Sequence, residues 1–177
     1  MPGKVRRIVT GVNAAGRSCI VSDTRFPATD VAPGQPVRVG LWLTDAAPAS
    51  NVTDDPVPDG VIMRTPPDHR GGTVVRVTDI IPDKQHAYDP EELRRRRAKT
   101  TPDRSAKLPG FHATDTVDYA ICLEGEIWAV LDEGETLMRP GDVLIQRGTY
   151  HAWSNRSDRI ARMLFVLIDA EPLPNHP

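Results

Sequence analysis

The sequence predicts an all-β protein built as an antiparallel barrel or jelly roll, and three observations carry that prediction. Between Val117 and Ile168, short apolar runs recur at close, regular spacing, separated by turns rich in Gly, Asp, Asn or Pro. Seventeen prolines and thirteen glycines in 177 residues disfavour long helices and suit strands and turns. Two blocks in the same region, Gly110-Phe111-His112 and Pro140-Gly141-Asp142 running on to His151, each pair a histidine with glycine-bounded turns. A small barrel places ligands on its inner wall in this way.

The elements follow from local chemistry. Val5 to Val9 and Ser18 to Ser22 read as strands joined across the turn Asn13-Ala14-Ala15-Gly16, and Val37 to Leu43 as a third. Residues 44–71 are rich in Pro, Asp and Gly and read as an irregular arm over the body. Thr73 to Ile81 is β-branched and alternating, a strand. Asp89-Pro90-Glu91-Glu92 supplies an N-cap, a proline at the first helical position and an acidic first turn, so one short helix is expected through about Lys99. Residues 100–109 are polar. Beyond them, Val117 to Leu123, Glu126 to Leu131, Thr136 to Met138, Asp142 to Gln146, His151 to Ser154 and Ile160 to Ile168 are the barrel strands. No internal repeat is visible, so one barrel is expected, with the N-terminal strands extending a sheet or a dimer interface.

Length and charge narrow the class. A chain of this size fits one domain, with 1–107 packing on a barrel core at 108–170. A formal charge of −2 offers no field to recruit nucleic acid or a membrane surface. The basic run Arg94-Arg95-Arg96-Arg97 follows Glu91-Glu92 and reads as a solvated helix face with Glu-to-Arg pairs. Cys19 and Cys122 form no CxxC and are expected as free thiols, no signal-peptide core opens the chain, and no apolar stretch reaches membrane-spanning length. A cytoplasmic setting is the expectation.

Alternation gives the blocks their chemistry. With His112 facing inward, Thr114, Asp118, Ala120 and Cys122 share its face, while Val117, Tyr119, Ile121 and Leu123 take the other. His151 and Trp153 share a face on the second block. Two imidazoles and a carboxylate (His112, Asp118 and His151) meeting in a barrel mouth would form a facial set that holds a divalent metal and leaves positions open for substrate, water or oxygen. Plainer readings stand beside this one. Each histidine can be a core residue bonded to backbone, Asp118 can pair with an arginine such as Arg162, Trp153 can be ordinary packing, and Cys122 can be a small buried hydrophobe.

These residues resemble the cupin superfamily, in particular its small single-domain members. The family's first motif has a Gly, a His-x-His pair, a Glu and a later Gly. Counting back from Gly125, six residues separate it from Asp118, which stands at the Glu position, with His112 and Thr114 at the two His positions. The second motif is matched by Gly141, Gly148, His151 and Asn155, with Gln146 in place of Pro. The resemblance covers about residues 108 to 168. It implies a jelly-roll double-stranded β-helix, a homodimer, and a pocket for a small organic molecule, aromatic or polyketide-like. The divalent metal it implies (Fe, Zn, Mn or Ni) would sit on His112, Asp118 and His151, with water in place of the missing histidine. Thr114, Trp153, Gln146 and Cys122 are the expected substrate contacts.

Three functions remain open. One is a metal-dependent lyase, isomerase or dioxygenase in which His112 and His151 are catalytic, either as ligands or, uncoordinated, as bases. Another is a non-catalytic small-molecule-binding barrel without metal. A sugar-modifying barrel with a His base is a weaker third, since no His/Tyr acid–base pair is visible.

Overall fold

The computed structural model describes residues 5–26, 37–52, 54–60, 71–86 and 110–174. In chain order the strands are β1 (Val5–Val12), β2 (Ser18–Phe26), β3 (Val37–Thr44), β4 (Thr73–Ile80) and β5 (Thr116–Glu124). They continue with β6 (Ile127–Leu131), β7 (Glu135–Met138), β8 (Val143–Arg147), β9 (His151–Ser154) and β10 (Ala161–Asp169). Among the described residues the helical content is one 3-10 turn, Asp83–Gln85. The short helix expected from Asp89 lies outside the described residues, as do the polar residues 100–109.

Among the described residues these strands form three antiparallel sheets. One is the β1–β2 hairpin, one has five strands in the order β3-β4-β10-β5-β8, and one has three in the order β7-β6-β9. This is the all-β, jelly-roll architecture that the strand spacing predicts, with β3 and β4 extending the sheet of the C-terminal strands. The hairpin strands run further than expected, to Val12 and Phe26. An irregularity in the ladder between Val9 and Thr10 lets pairing resume at Thr10–Ile20 and continue to Val12–Ser18.

Strict alternation builds the core. On β10, Ala161, Met163, Phe165 and Leu167 are buried, and on β5 Thr116, Asp118, Ala120 and Cys122 are. Register sets Phe165 opposite Ala120 and Leu167 opposite Asp118. Ile127, Ala129 and Met138 close over this wall from the three-stranded sheet. Each fully buried side chain of the size of Ile127, Met163 or Leu167 contributes about 2 kcal/mol through apolar surface removed from water. At the β5–β6 turn Gly125 has φ 74°, and a Cβ there would stand 2.6 Å from the Ile160 carbonyl oxygen, so only glycine fits.

Two polar clamps fix the sheets. The Asn155 amide donates to the carbonyls of Ile80 (2.8 Å) and Arg159 (2.7 Å), while Asp83 accepts from the Ser154 hydroxyl and the Asn155 backbone N–H. The end of β9 is thereby tied to the end of β4. At the other end of the chain, Arg7 pairs with Asp55, donates to the carbonyls of Leu41 and Val57, and lies 4.8 Å over the Phe26 ring. That buried guanidinium pins the hairpin to β3 and to the 54–60 part of the arm.

Candidate metal and substrate site

Glycine turns and strand pairing bring the two blocks together. His112 and His151, 39 residues apart in the chain, exchange backbone hydrogen bonds in both directions at 2.9 Å. Residues paired in this way project side chains to the same face, and the two imidazole centroids stand 4.6 Å apart. On the opposite face, Phe111 and Tyr150 stack at 6.0 Å and, with Ala152, form a small second core that holds the bridge.

Both rings are set by the same local device. His112 Nδ1 lies 2.6 Å from the carbonyl oxygen of Gly110, and His151 Nδ1 lies 2.9 Å from that of Thr149. A carbonyl only accepts, so each Nδ1 carries the hydrogen and each Nε2 the lone pair, the tautomer a metal ligand needs. The environments differ. His112 is exposed, whereas His151 is buried and its pKa is pushed down to about 3 by burial first, then by the nearby His112 and Arg76, against the Thr149 carbonyl. His151 is therefore a neutral imidazole throughout the physiological range.

Asp118 faces inward, as alternation predicts, and is buried. Burial raises its pKa, and the Thr116 hydroxyl and Arg76 oppose the rise. Its Oδ1 is buried without a hydrogen-bond partner, a state that costs about 1–3 kcal/mol. Arg162, the alternative partner for Asp118, instead makes a two-pronged pair with Asp79 at 2.6 and 2.7 Å.

The donors fit a metal in part. The two imidazole rings stand side by side, and an unsatisfied carboxylate oxygen, Asp118 Oδ1, lies on the inner wall. Among the described residues, however, no three His, Cys, Asp or Glu side chains come close enough to hold an ion. The expected set of His112, Asp118 and His151 is thus not assembled as three ligands. The histidines sit on the three-stranded side, whereas Asp118 lies in the five-stranded sheet opposite Gln146 and Leu167, on a side chain one methylene shorter than Glu.

Of the expected substrate contacts, Trp153 lies beside His151, with ring centroids 5.8 Å apart, and meets Phe165 edge-on at 5.3 Å. Thr114 is half-buried, its hydroxyl 2.8 Å from that of Thr116. Gln146 and Cys122 make contacts within the fold. The Gln146 amide donates to the Thr149 carbonyl at 2.7 Å and also to the Thr149 hydroxyl, bracing the turn before His151. Cys122 is packed in the apolar core, its thiol directed at the carbonyls of Glu124 and Gly125.

Sequence reasoning missed Arg76. It lies on β4 opposite Phe165, with its guanidinium carbon 5.6 Å from that ring. The signal was present: a lone arginine inside a β-branched strand, in step with Val74 and Ile80, which are core residues.

Comparison with known proteins gives a consistent result. A model described as "Cupin domain" matches residues 101–167. A phomopsin biosynthesis cluster protein (C') of Diaporthe leptostromiformis is 33% identical over 177 residues, covering 94% of this chain and 79% of the relative. A cupin-domain-containing oxidoreductase of Neurospora crassa is 26% identical over 173 residues, covering 95% of this chain and 76% of the relative. Among solved structures, a cupin superfamily protein of Desulfitobacterium hafniense aligns with TM-score 0.43 at 10% identity, covering 79% of this chain and 83% of the other.

Proposed function

This chain belongs to the cupin superfamily, and on that premise we propose that it is a biosynthetic enzyme acting on a small organic molecule, aromatic or polyketide-like, at the His112–His151 pair. The observation that carries the proposal is the geometry of that pair, 4.6 Å between rings, with both Nδ1 atoms held by carbonyls two residues upstream. A residue serving only as core packing gives no reason for two such rings to be set in one tautomer side by side. In this reading His112 and His151 hold a divalent metal, Fe, Zn, Mn or Ni, and Asp118 is the buried carboxylate available to it. A bound metal would supply Lewis acidity or, for iron, redox chemistry.

The chain's own residues supply the rest. Thr149 fixes the His151 proton on Nδ1. Trp153 and Phe165 line the wall beside the histidines, exclude water and give a planar substrate two ring edges to lie against. Only when left uncoordinated, in the metal-free alternative, is the exposed His112 an imidazole that can take up a substrate proton at Nε2. The oxidoreductase relative supports redox chemistry over the lyase or isomerase alternative, and the biosynthesis-cluster relative supports a biosynthetic role. A homodimer is part of the proposal. Tyr119, Leu123, Val143 and Ile145 are exposed on one face of β5 and β8 and offer apolar surface for a second copy to cover.

The second reading is a barrel that binds its ligand without metal or turnover, and the unassembled ligand set favours it. Metal-loaded protein incubated with a panel of small phenols, aromatic acids and polyketides separates the two. Product formation that disappears in His112→Ala and His151→Ala is expected, with oxygen consumed in the dioxygenase case. Ligands bound but recovered unchanged would establish the binding module.

A further inference from the structure

Arg76 is a cation on the inward face of its strand. Val74, Arg76, Thr78 and Ile80 alternate on that face, and Val74 and Ile80 belong to the core between the sheets. The guanidinium carbon lies 5.6 Å from the Phe165 ring centroid. Phe165 meets Trp153 at 5.3 Å, Trp153 meets His151 at 5.8 Å, and His151 meets His112 at 4.6 Å. One strip of rings therefore runs from the guanidinium to the histidine pair. The same inner wall carries two buried polar atoms without hydrogen-bond partners, Thr78 Oγ1 and Asp118 Oδ1.

We propose that Arg76 is the anion anchor of this cavity and that the ligand is a small aromatic acid, its carboxylate on the guanidinium and its ring along Phe165 and Trp153. The inference rests on reading the barrel interior as a small-molecule site, and it names the class of molecule. A guanidinium presents planar, forked donors that match the two oxygens of a carboxylate. Rings packed beside that fork favour a flat acid over an aliphatic one. Hydroxyl or amino substituents on the ring would meet the orphaned Thr78 and Asp118 oxygens, and a cationic ligand would face like charge at Arg76.

Fluorine NMR titration of the full chain with 4-fluorobenzoate and with 4-fluorobenzamide tests this. The acid is expected to bind about tenfold or more tighter than the amide. Arg76→Gln should lose that preference while leaving the amide unchanged, and Arg76→Lys should keep part of it. Equal binding of acid and amide, undiminished acid binding by Arg76→Gln, or no binding of the acid would overturn the proposal. If circular dichroism shows Arg76→Gln unfolded, Arg76→Lys and the acid–amide comparison in the unaltered chain decide it. A chain that prefers the acid yet holds no metal keeps the anchor and loses the metal reading. A chain that holds metal but ignores the charge of the probe does the reverse.

Discussion

Gln146 and His151 donate to the same atom. The Gln146 amide reaches the Thr149 carbonyl oxygen at 2.7 Å, and His151 Nδ1 lies 2.9 Å from it. One backbone oxygen therefore joins a buried glutamine on β8 to the orientation of the imidazole that opens β9. Gln146→Leu should cost about 1 kcal/mol of stability. Freed of this brace, the ring should hold metal roughly 10- to 100-fold more weakly. Denaturant unfolding together with metal titration checks both, and an unchanged metal affinity would show that the shared carbonyl does not govern His151.

The pH dependence of stability follows from His151. Its pKa is near 6.5 when exposed and about 3 in the fold, so between these values the unfolded chain takes up a proton that the folded chain refuses. The contribution is complete above the unfolded value and is lost as pH falls toward the folded one. Urea midpoints should drop on acidification from about pH 7 to about pH 4.5, and the drop should be smaller in His151→Gln. An identical acid response in the two proteins would contradict the burial of a neutral imidazole.

Asp118 runs the other way. Burial raises its pKa above the ordinary 3.8, against the Thr116 hydroxyl and Arg76. Its stabilising contribution is present below 3.8 and is lost as pH rises through the folded value, so the ionised carboxylate weighs against the fold at neutrality. Asp118→Asn should raise stability at neutral pH by roughly 1 kcal/mol, with the difference closing in acid. Destabilisation instead would mean that the carboxylate is held by a strong partner.

Thr114 stands two residues after His112, with its hydroxyl on Thr116. Thr114→His should add a third imidazole and tighten metal binding by about tenfold, roughly 1.4 kcal/mol. No gain by calorimetry would show that this position does not reach the pair.

How far the sequence can be read depends on the range of the interaction. The His112–His151 meeting was legible because alternation and glycine turns fix strand faces locally, and the barrel leaves few ways to close. Asp118, Ala120 and Cys122 sharing the buried face of β5, with Tyr119 and Leu123 exposed, came from the same rule. Arg76 was legible as a lone arginine in step with core positions of a β-branched strand, but its place beside Phe165 was not, because that depends on a β4–β10 register between residues far apart in the chain. The Gln146 contact with Thr149 was not legible, because its rotamer answers to the conformation of the turn at 147–150, and no pattern of residue types records that. The separation of Asp118 from the histidines reflects how the two sheets pack, which alternation within one strand does not specify.

Elemental analysis of protein purified without chelator or affinity nickel asks whether the histidine pair holds a metal. Close to one Fe, Zn, Mn or Ni per chain is expected, lost in His151→Ala with the fold retained. Protein that emerges empty and takes up no added metal would contradict the metal reading.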